Sequence, residues 1–298
     1  MKNLVFAFAL LCSSSLVAQF SYNENGTGIQ SSSNNASGGY SIAMGRNTTA
    51  SGTQSTAMGY LTTASGTQST AIGLYTTASG TQSRAMGYNT TASGYISTAM
   101  GTNTTASGGV STAMGLGTAT QDYASTAIGA YNKTKETPNP SEFSLQNTAF
   151  VIGNGTDESR SNAFEVLFDG STTIAGDLNI NSDARLKANI ISLGATLSKL
   201  LQIDGKTYTM KKDTNHKKKI GLLAQDIEKV FPELVTETND IKSVNYQGLV
   251  PVLINAMKEQ DEVIRSQNKL LSNQDAINKK QQQEIDELKA MVKALAKG

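Results

Sequence analysis

The chain has 298 residues, 38% of them hydrophobic but only 6% aromatic, with no Trp, and its 25 Lys and Arg nearly balance 24 Asp and Glu. The balance hides an asymmetry, because 19 of the 25 basic residues lie from Arg185 onward while residues 19–181 carry five. That first part has too little Leu, Ile, Val and Phe for a globular core of ordinary density, so it must bury small residues repetitively or stay disordered. One His and one Cys exclude a metal site of the usual kind.

Residues 1–18 read as a secretory signal: Lys2 opens it, Leu4 to Leu11 form an apolar run, and small residues from Ser13 to Ala18 lead to a cut before Gln19. The run is too short to span a bilayer, so no transmembrane segment is expected in the mature chain. Leu11 is bulkier than the residue that lipoprotein processing wants before Cys12, which argues against a lipid anchor there. Cys12 would leave with the signal, and the mature chain then has no disulfide and no thiol chemistry. Residues 19–35 read as an N-terminal linker.

Over 36–130 the sequence repeats every fourteen residues. Gly45, Gly59, Gly73, Gly87, Gly101, Gly115 and Gly129 each follow Met or Ile, and Gly38, Gly52, Gly66, Gly80, Gly94 and Gly108 form a second set. Two short alternating segments closed by glycines predict one solenoid coil per unit, with small Ala and Ser inward and Met or Ile filling a narrow core. A Ser/Thr/Gly-rich disordered linker is the alternative on composition, but the constant phase of Ala57, Ala71, Ala85, Ala99 and Ala113 argues for order. These units, through the recurring Ser-x-Ala-Met-Gly, resemble the head repeats of YadA-type trimeric autotransporter adhesins. The resemblance implies a trimeric left-handed β-roll, although the chain ends Leu295-Ala-Lys-Gly298 without strands for an outer-membrane barrel. Thr62-Thr63, Thr76-Thr77 and Thr90-Thr91 would stack once per coil as hydroxyl ladders, suited to ice or glycan binding if they are more than solvated β-formers.

Residues 131–181 read as a linker followed by a β-structured neck. Lys133, Lys135, Pro138 and Pro140 break the period over 131–145, and Thr148 to Gly155, Ala163 to Gly170 and Ser171 to Ile180 give three strand-like runs.

At Ser182-Asp183-Ala184-Arg185-Leu186-Lys187 composition, periodicity and charge change together. On spacing alone Ser182 or Asp183 would cap a helix. Five residues bring Ser182 and Lys187 to one face of neither a helix nor a strand, so the two would meet only across a turn. The stretch Ser182 to Ile190, Ile220 to Glu228 with Val230-Phe-Pro-Glu233, Val244-Asn-Tyr246, and Leu249 to Glu259 resemble, in that order, the intramolecular chaperone domain of endosialidase-type phage tailspikes. The same self-cleaving peptidase domain occurs in exported bacterial fibre proteins and a myelin regulatory factor. The resemblance implies that residues 182–260 trimerise, help the preceding fibre to assemble and then cut themselves off, with Ser182 as nucleophile and Lys187 as its base. A neutral lysine amine is needed for that role, which desolvation at a trimer interface would favour.

His216 lies in Lys211-Lys-Asp-Thr-Asn-His-Lys-Lys-Lys219, read as a solvated hairpin loop rather than a nucleic-acid site. Over 250–297 heptads place Val250, Met257, Ile264, Leu271, Asn278, Ile285 and Val292 at a, with Leu253, Leu288, Leu295 and four Gln at d. A coiled coil is expected, the alternative being one amphipathic helix folded back on its own domain. The reading is an exported, mainly β homotrimeric fibre at the cell surface or outside the cell, with a C-terminal α+β chaperone that releases itself once. It needs no cofactor and no metal. A cell-surface glycan or protein is its candidate receptor. An uncleaved fibre whose C-terminal domain is a permanent clamp, and a Thr-ladder ice or glycan binder, are the alternatives.

Overall fold

The computed structural model describes residues 20–22, 26–31, 33–211, 213 and 216–296. The signal reading of 1–18, including Cys12, and the last heptad residue Lys297 lie outside them. The chain divides into two compact units, 1–181 and 182–298.

In the first unit seven five-residue strands, from Ile42–Arg46 to Thr126–Ala130, stack in one sheet. Two-residue strands, from Thr49–Ala50 to Ala119–Thr120, stack in a second sheet of six. Pairing is parallel and the register advances by one repeat, so that Ala57 faces Ala71, Ala71 faces Ala85 and Ala85 faces Ala99. Each coil turns at two corners through left-handed residues, for example Gln54 (φ 57°) and Leu61 (φ 53°). Close stacking explains the glycines: Gly59 has φ 127°, and a Cβ there would overlap the carbonyl oxygen of Gly73 in the next coil.

The core of the coils consists of two Ala columns, which include Ala57 and Ala64, together with Ser55, Thr62 and their counterparts in the neighbouring coils, all fully buried. Two expectations need correction here. Met and Ile do not fill the core: Ala57 points in, so its strand neighbour Met58 must point out. Met44, Met58, Ile72, Met86, Met100 and Met114 form a row in register on the outer face, with Ile72, Met100 and Met114 exposed. The same parity splits the Thr pairs. Thr62, Thr76, Thr90 and Thr104 are buried and only Thr63, Thr77 and their successors face outward, so a double hydroxyl ladder does not form.

The segment 131–147 does more than link. It folds over the last coil, where Gly109 N–H donates to the Pro140 carbonyl (2.8 Å) and Tyr123 N–H to that of Asn139 (2.7 Å). Buried Asp122, which stands where earlier coils have Gly, accepts from the N–H groups of Asn139 and Thr148 (2.8 Å each) and pairs with Lys135 at 3.2 Å. Thr148–Asn154 then adds to the main sheet in parallel, followed by antiparallel Asn162–Leu167 and Thr172–Ile174.

The second unit is a small α+β body built on a long helix. Helix α1 (Leu197–Leu200), the hairpin Lys206–Tyr208/Lys219–Gly221, α2 (Ala224–Val230) and the hairpin Val235–Thr238/Ile241–Val244 precede α3 (Leu249–Leu295). Ile227, Phe231, Leu234, Leu249 and Val252 form the core, with Leu200, Ile203 and Leu222 against it. The α3 residues buried in this body are Leu249, Val252 and Ala256. Val250, Leu253 and Met257 of the heptad seam lie on the exposed side, and α3 runs on for about 70 Å in total at 1.5 Å per residue. Among the described residues no helix is long and apolar enough to cross a membrane.

Candidate functional site

Ser182 and Lys187 meet. The Lys187 Nζ donates to Ser182 Oγ at 2.7 Å. One turn of 3₁₀ helix, Ala184–Leu186, lies between two extended residues, Asp183 (φ −62°, ψ 133°) and Lys187 (φ −117°, ψ 146°). Leu186 N–H donates to the Asp183 carbonyl and Lys187 N–H to that of Ala184, both at 3.1 Å, so the turn reverses the chain within the five-residue interval. Neither a helix nor a strand could close that interval, and a single tight turn does.

Asp183 starts the turn. Its carboxylate accepts the Arg185 backbone N–H at 2.8 Å, an N-cap contact, and grips the same residue's guanidinium through Nε (3.1 Å to both oxygens) and Nη2 (2.6 Å). The Arg185 guanidinium, then its backbone N–H, hold the Asp183 carboxyl below the usual carboxylate range, and Asp183 in turn raises Arg185. With its carboxylate engaged by Arg185, Asp183 leaves the Ser182 hydroxyl as the partner of the Lys187 amine.

Residues 182–195 are exposed in the single chain, and the apolar members beside the dyad strongly so: Leu186 is 72% exposed, Ile190 66% and Ile191 88%. At the end of this segment the chain is tied to the start of α3. Asn255 Nδ2 donates to the Gly194 carbonyl (3.2 Å), and buried Thr196 Oγ1 to the Val252 carbonyl (2.9 Å). The Glu259 carboxylate accepts from the N–H groups of Thr196 and Leu197 at the first turn of α1. Asn255 and Glu259 belong to a stretch singled out in the sequence, but their role was not legible there, since the partner Thr196 lies 63 residues from Glu259. His216 is exposed in the loop between the first hairpin's strands, of which Lys212, Thr214 and Asn215 lie outside the described residues.

Residues 182–236 match the family described as chaperone of endosialidase. Residues 32–118 match the YadA head domain repeat in six overlapping windows, from 32–48 to 92–118. Among curated relatives, the long tail fiber protein Gp37 of Salmonella phage S16 is 34% identical over 90 residues, 27% of this chain and 12% of that protein. The long tail fiber proteins Gp37 of Enterobacteria phages M1 and Ox2 are each 31% identical over 116 residues, 34% of this chain and 46% of theirs. The chain thus spans less than half the length of these relatives. It joins YadA-like head repeats to an endosialidase-chaperone domain and is in part similar to phage tail fibres.

Proposed function

We propose that this chain is one subunit of an exported homotrimeric fibre whose C-terminal part, from Ser182 onward, drives trimer assembly and then releases itself by cutting the chain at Ser182. The observation that carries the reading is the 2.7 Å contact between Lys187 Nζ and Ser182 Oγ, at the residue where the second unit begins. As a neutral amine Lys187 takes the hydroxyl proton while Ser182 Oγ adds to a peptide carbonyl. The proton passes to the leaving amide nitrogen as the C–N bond breaks, and water then hydrolyses the ester.

Association is supported by surfaces that one chain leaves uncovered. The Met/Ile row runs the length of the coils, the α3 residues Val250, Leu253, Met257 and Ile264 are all exposed, and so are Leu186, Ile190 and Ile191, within four residues of Lys187 in the chain. Burial of the last three by partner chains would take water from Lys187 and favour its neutral form. Cutting would then follow assembly rather than precede it.

The test is intact mass and a denaturing gel of the secreted chain beside Ser182→Ala and Lys187→Ala variants. Self-release gives a C-terminal fragment of about 12 kDa, the share of 31.4 kDa that residues 182–298 make up, lost in both variants. An intact parent chain that is still trimeric would instead establish the permanent clamp.

A further inference from the structure

One long edge of the solenoid carries a strip whose chemistry differs from the Met/Ile row. Two neighbouring positions of successive coils line it: Arg46, Tyr60, Leu74, Tyr88 and Thr102 in register at one, and Asn47, Leu61, Tyr75, Asn89 and Asn103 at the next. The Arg46 guanidinium lies 5.4 Å from the Tyr60 ring centre. Tyr60 and Tyr75 meet edge to face at 5.9 Å, and Tyr75 and Tyr88 at 6.1 Å. Asn89 Nδ2 donates to Asn103 Oδ1 at 2.8 Å, continuing the strip into an amide pair.

The rings are not hidden: Tyr75 and Tyr88 are each 45% exposed. Tyr75 occupies a left-handed corner, φ 57°, a position held in other coils by Asn47, Leu61, Asn89, Asn103 and Tyr131. Across five coils at the strand spacing the strip is about 19 Å long. Charge narrows its ligand further. Within 36–130 the charged residues are Arg46, Arg84 and Asp122, so this strip carries a single cation and no array of charges for a polyanion or a polycation.

We infer that this strip binds a linear, neutral glycan. The C–H face of a pyranose ring stacks on an aromatic ring, and phenol hydroxyls and amides offer the paired donors and acceptors that sugar hydroxyls need. The Met/Ile row has no such polar atoms and is suited to another protein surface. Tyrosines on three successive coils favour a chain of sugars over a single one, and the site takes the glycan role away from the Thr rows, half of which are buried. The inference deepens the fibre reading by giving the fibre a ligand class, and it depends on that reading only for presenting the strip outside the cell.

The experiment uses the full secreted chain on an array of neutral linear oligosaccharides of increasing length, with sialylated and sulfated ones beside them. Variants are Tyr75→Ala, Asn103→Ala and, on the other sheet, Thr63→Ala. Retention of neutral oligosaccharides, at least tenfold weaker in Tyr75→Ala, weaker in Asn103→Ala and unchanged in Thr63→Ala, is expected, with oligomeric state unaltered by light scattering. The inference is overturned if no neutral glycan is retained, if acidic glycans are preferred, if only Thr63→Ala loses binding, or if Tyr75→Ala dissociates the oligomer, which would make the strip a seam between chains. Cleavage is read on a gel from the same samples. A chain that cuts itself but binds no neutral glycan refutes only this inference, and one that binds but stays intact refutes only self-release.

Discussion

Replacing Glu259 by Ala tests whether the dyad segment depends on its anchor to α3. In the parent the carboxylate accepts from the Thr196 and Leu197 N–H groups, with Leu197 N at 3.3 Å from both oxygens, while Thr196 itself is buried. Hydrogen bonds to a charged group contribute about 1.5–3 kcal/mol, and the half-buried position of Glu259 lowers that to about 1.5 kcal/mol. The bond from Thr196 Oγ1 to the Val252 carbonyl survives, so the unit loosens rather than unfolds. A 117-residue unit losing that much melts about 5–8 °C lower, read by circular dichroism of the Ser182→Ala chain to keep it whole. In the cleavable chain, release slows by up to about tenfold, the equivalent of 1.4 kcal/mol. Glu259→Gln keeps an acceptor and should lie between parent and Ala. Lys258→Ala, one exposed residue away, is the control. Parental melting together with parental release in Glu259→Ala would refute the anchor.

Asp183→Ala, which removes the cap of the turn and the partner of Arg185, is expected to slow fragment release severalfold, while Asp183→Asn, which retains the cap, slows it less; equal rates on a gel time course would show the turn to be self-sufficient. Because the folded Asp183 carboxyl is held below its ordinary value of about 3.9, its support of the turn is present above that pH and is lost as pH falls through the folded value, so turn-specific NMR shifts should hold at pH 5–7 and change only below about pH 4. Met86→Glu, in the middle of the outer apolar row, should leave the β circular dichroism unchanged but weaken the trimer, seen in sedimentation as smaller species at low concentration. Gly73→Val is expected to cost about 3 kcal/mol or more and to melt the solenoid first, because φ is 129° and the new side chain would overlap the Gly87 carbonyl.

Much of the first unit was legible because a fourteen-residue period fixes register without reference to anything distant. Gly59, Gly73 and Gly87 mark the close approach of backbones, and the constant phase of Ala57 and Ala71 marks the core column. What was misplaced, the Met/Ile row and one Thr of each pair, failed on parity: neighbours such as Ala57 and Met58 cannot face the same way in a strand. Asp122 in a Gly position was a visible signal of the coil end, but its partners at Asn139 and Thr148 come from a segment that reads locally as linker. In the second unit the pairing of Ser182 with Lys187 was legible as residue types, and the turn that joins them was legible only as a requirement. The anchors Asn255 and Glu259 were not legible in role, since nothing in a helix sequence names a partner some sixty residues back.

The placement of the dyad bears on how a protease of this kind would avoid cutting too early. Its two members need no partner to meet, since the turn and its Asp183 cap already hold them at hydrogen-bond distance. Geometry therefore cannot be what waits for assembly; solvation can. Leu186, Ile190 and Ile191 stand in water, as does Lys187 close by in the chain, and burying each such apolar side chain would contribute about 1.5–3 kcal/mol to association. On the proposed reading, the contact that favours the trimer would also dry the lysine, so assembly and cleavage would share one surface and one driving force. Ile191→Ser separates the two accounts. If drying is the switch, the variant retains the 2.7 Å pair and loses release along with trimer strength, and concentrating the protein restores both together. If release instead proceeds at the parental rate in chains too dilute to associate, the dyad is armed by the turn alone and the apolar residues serve only assembly.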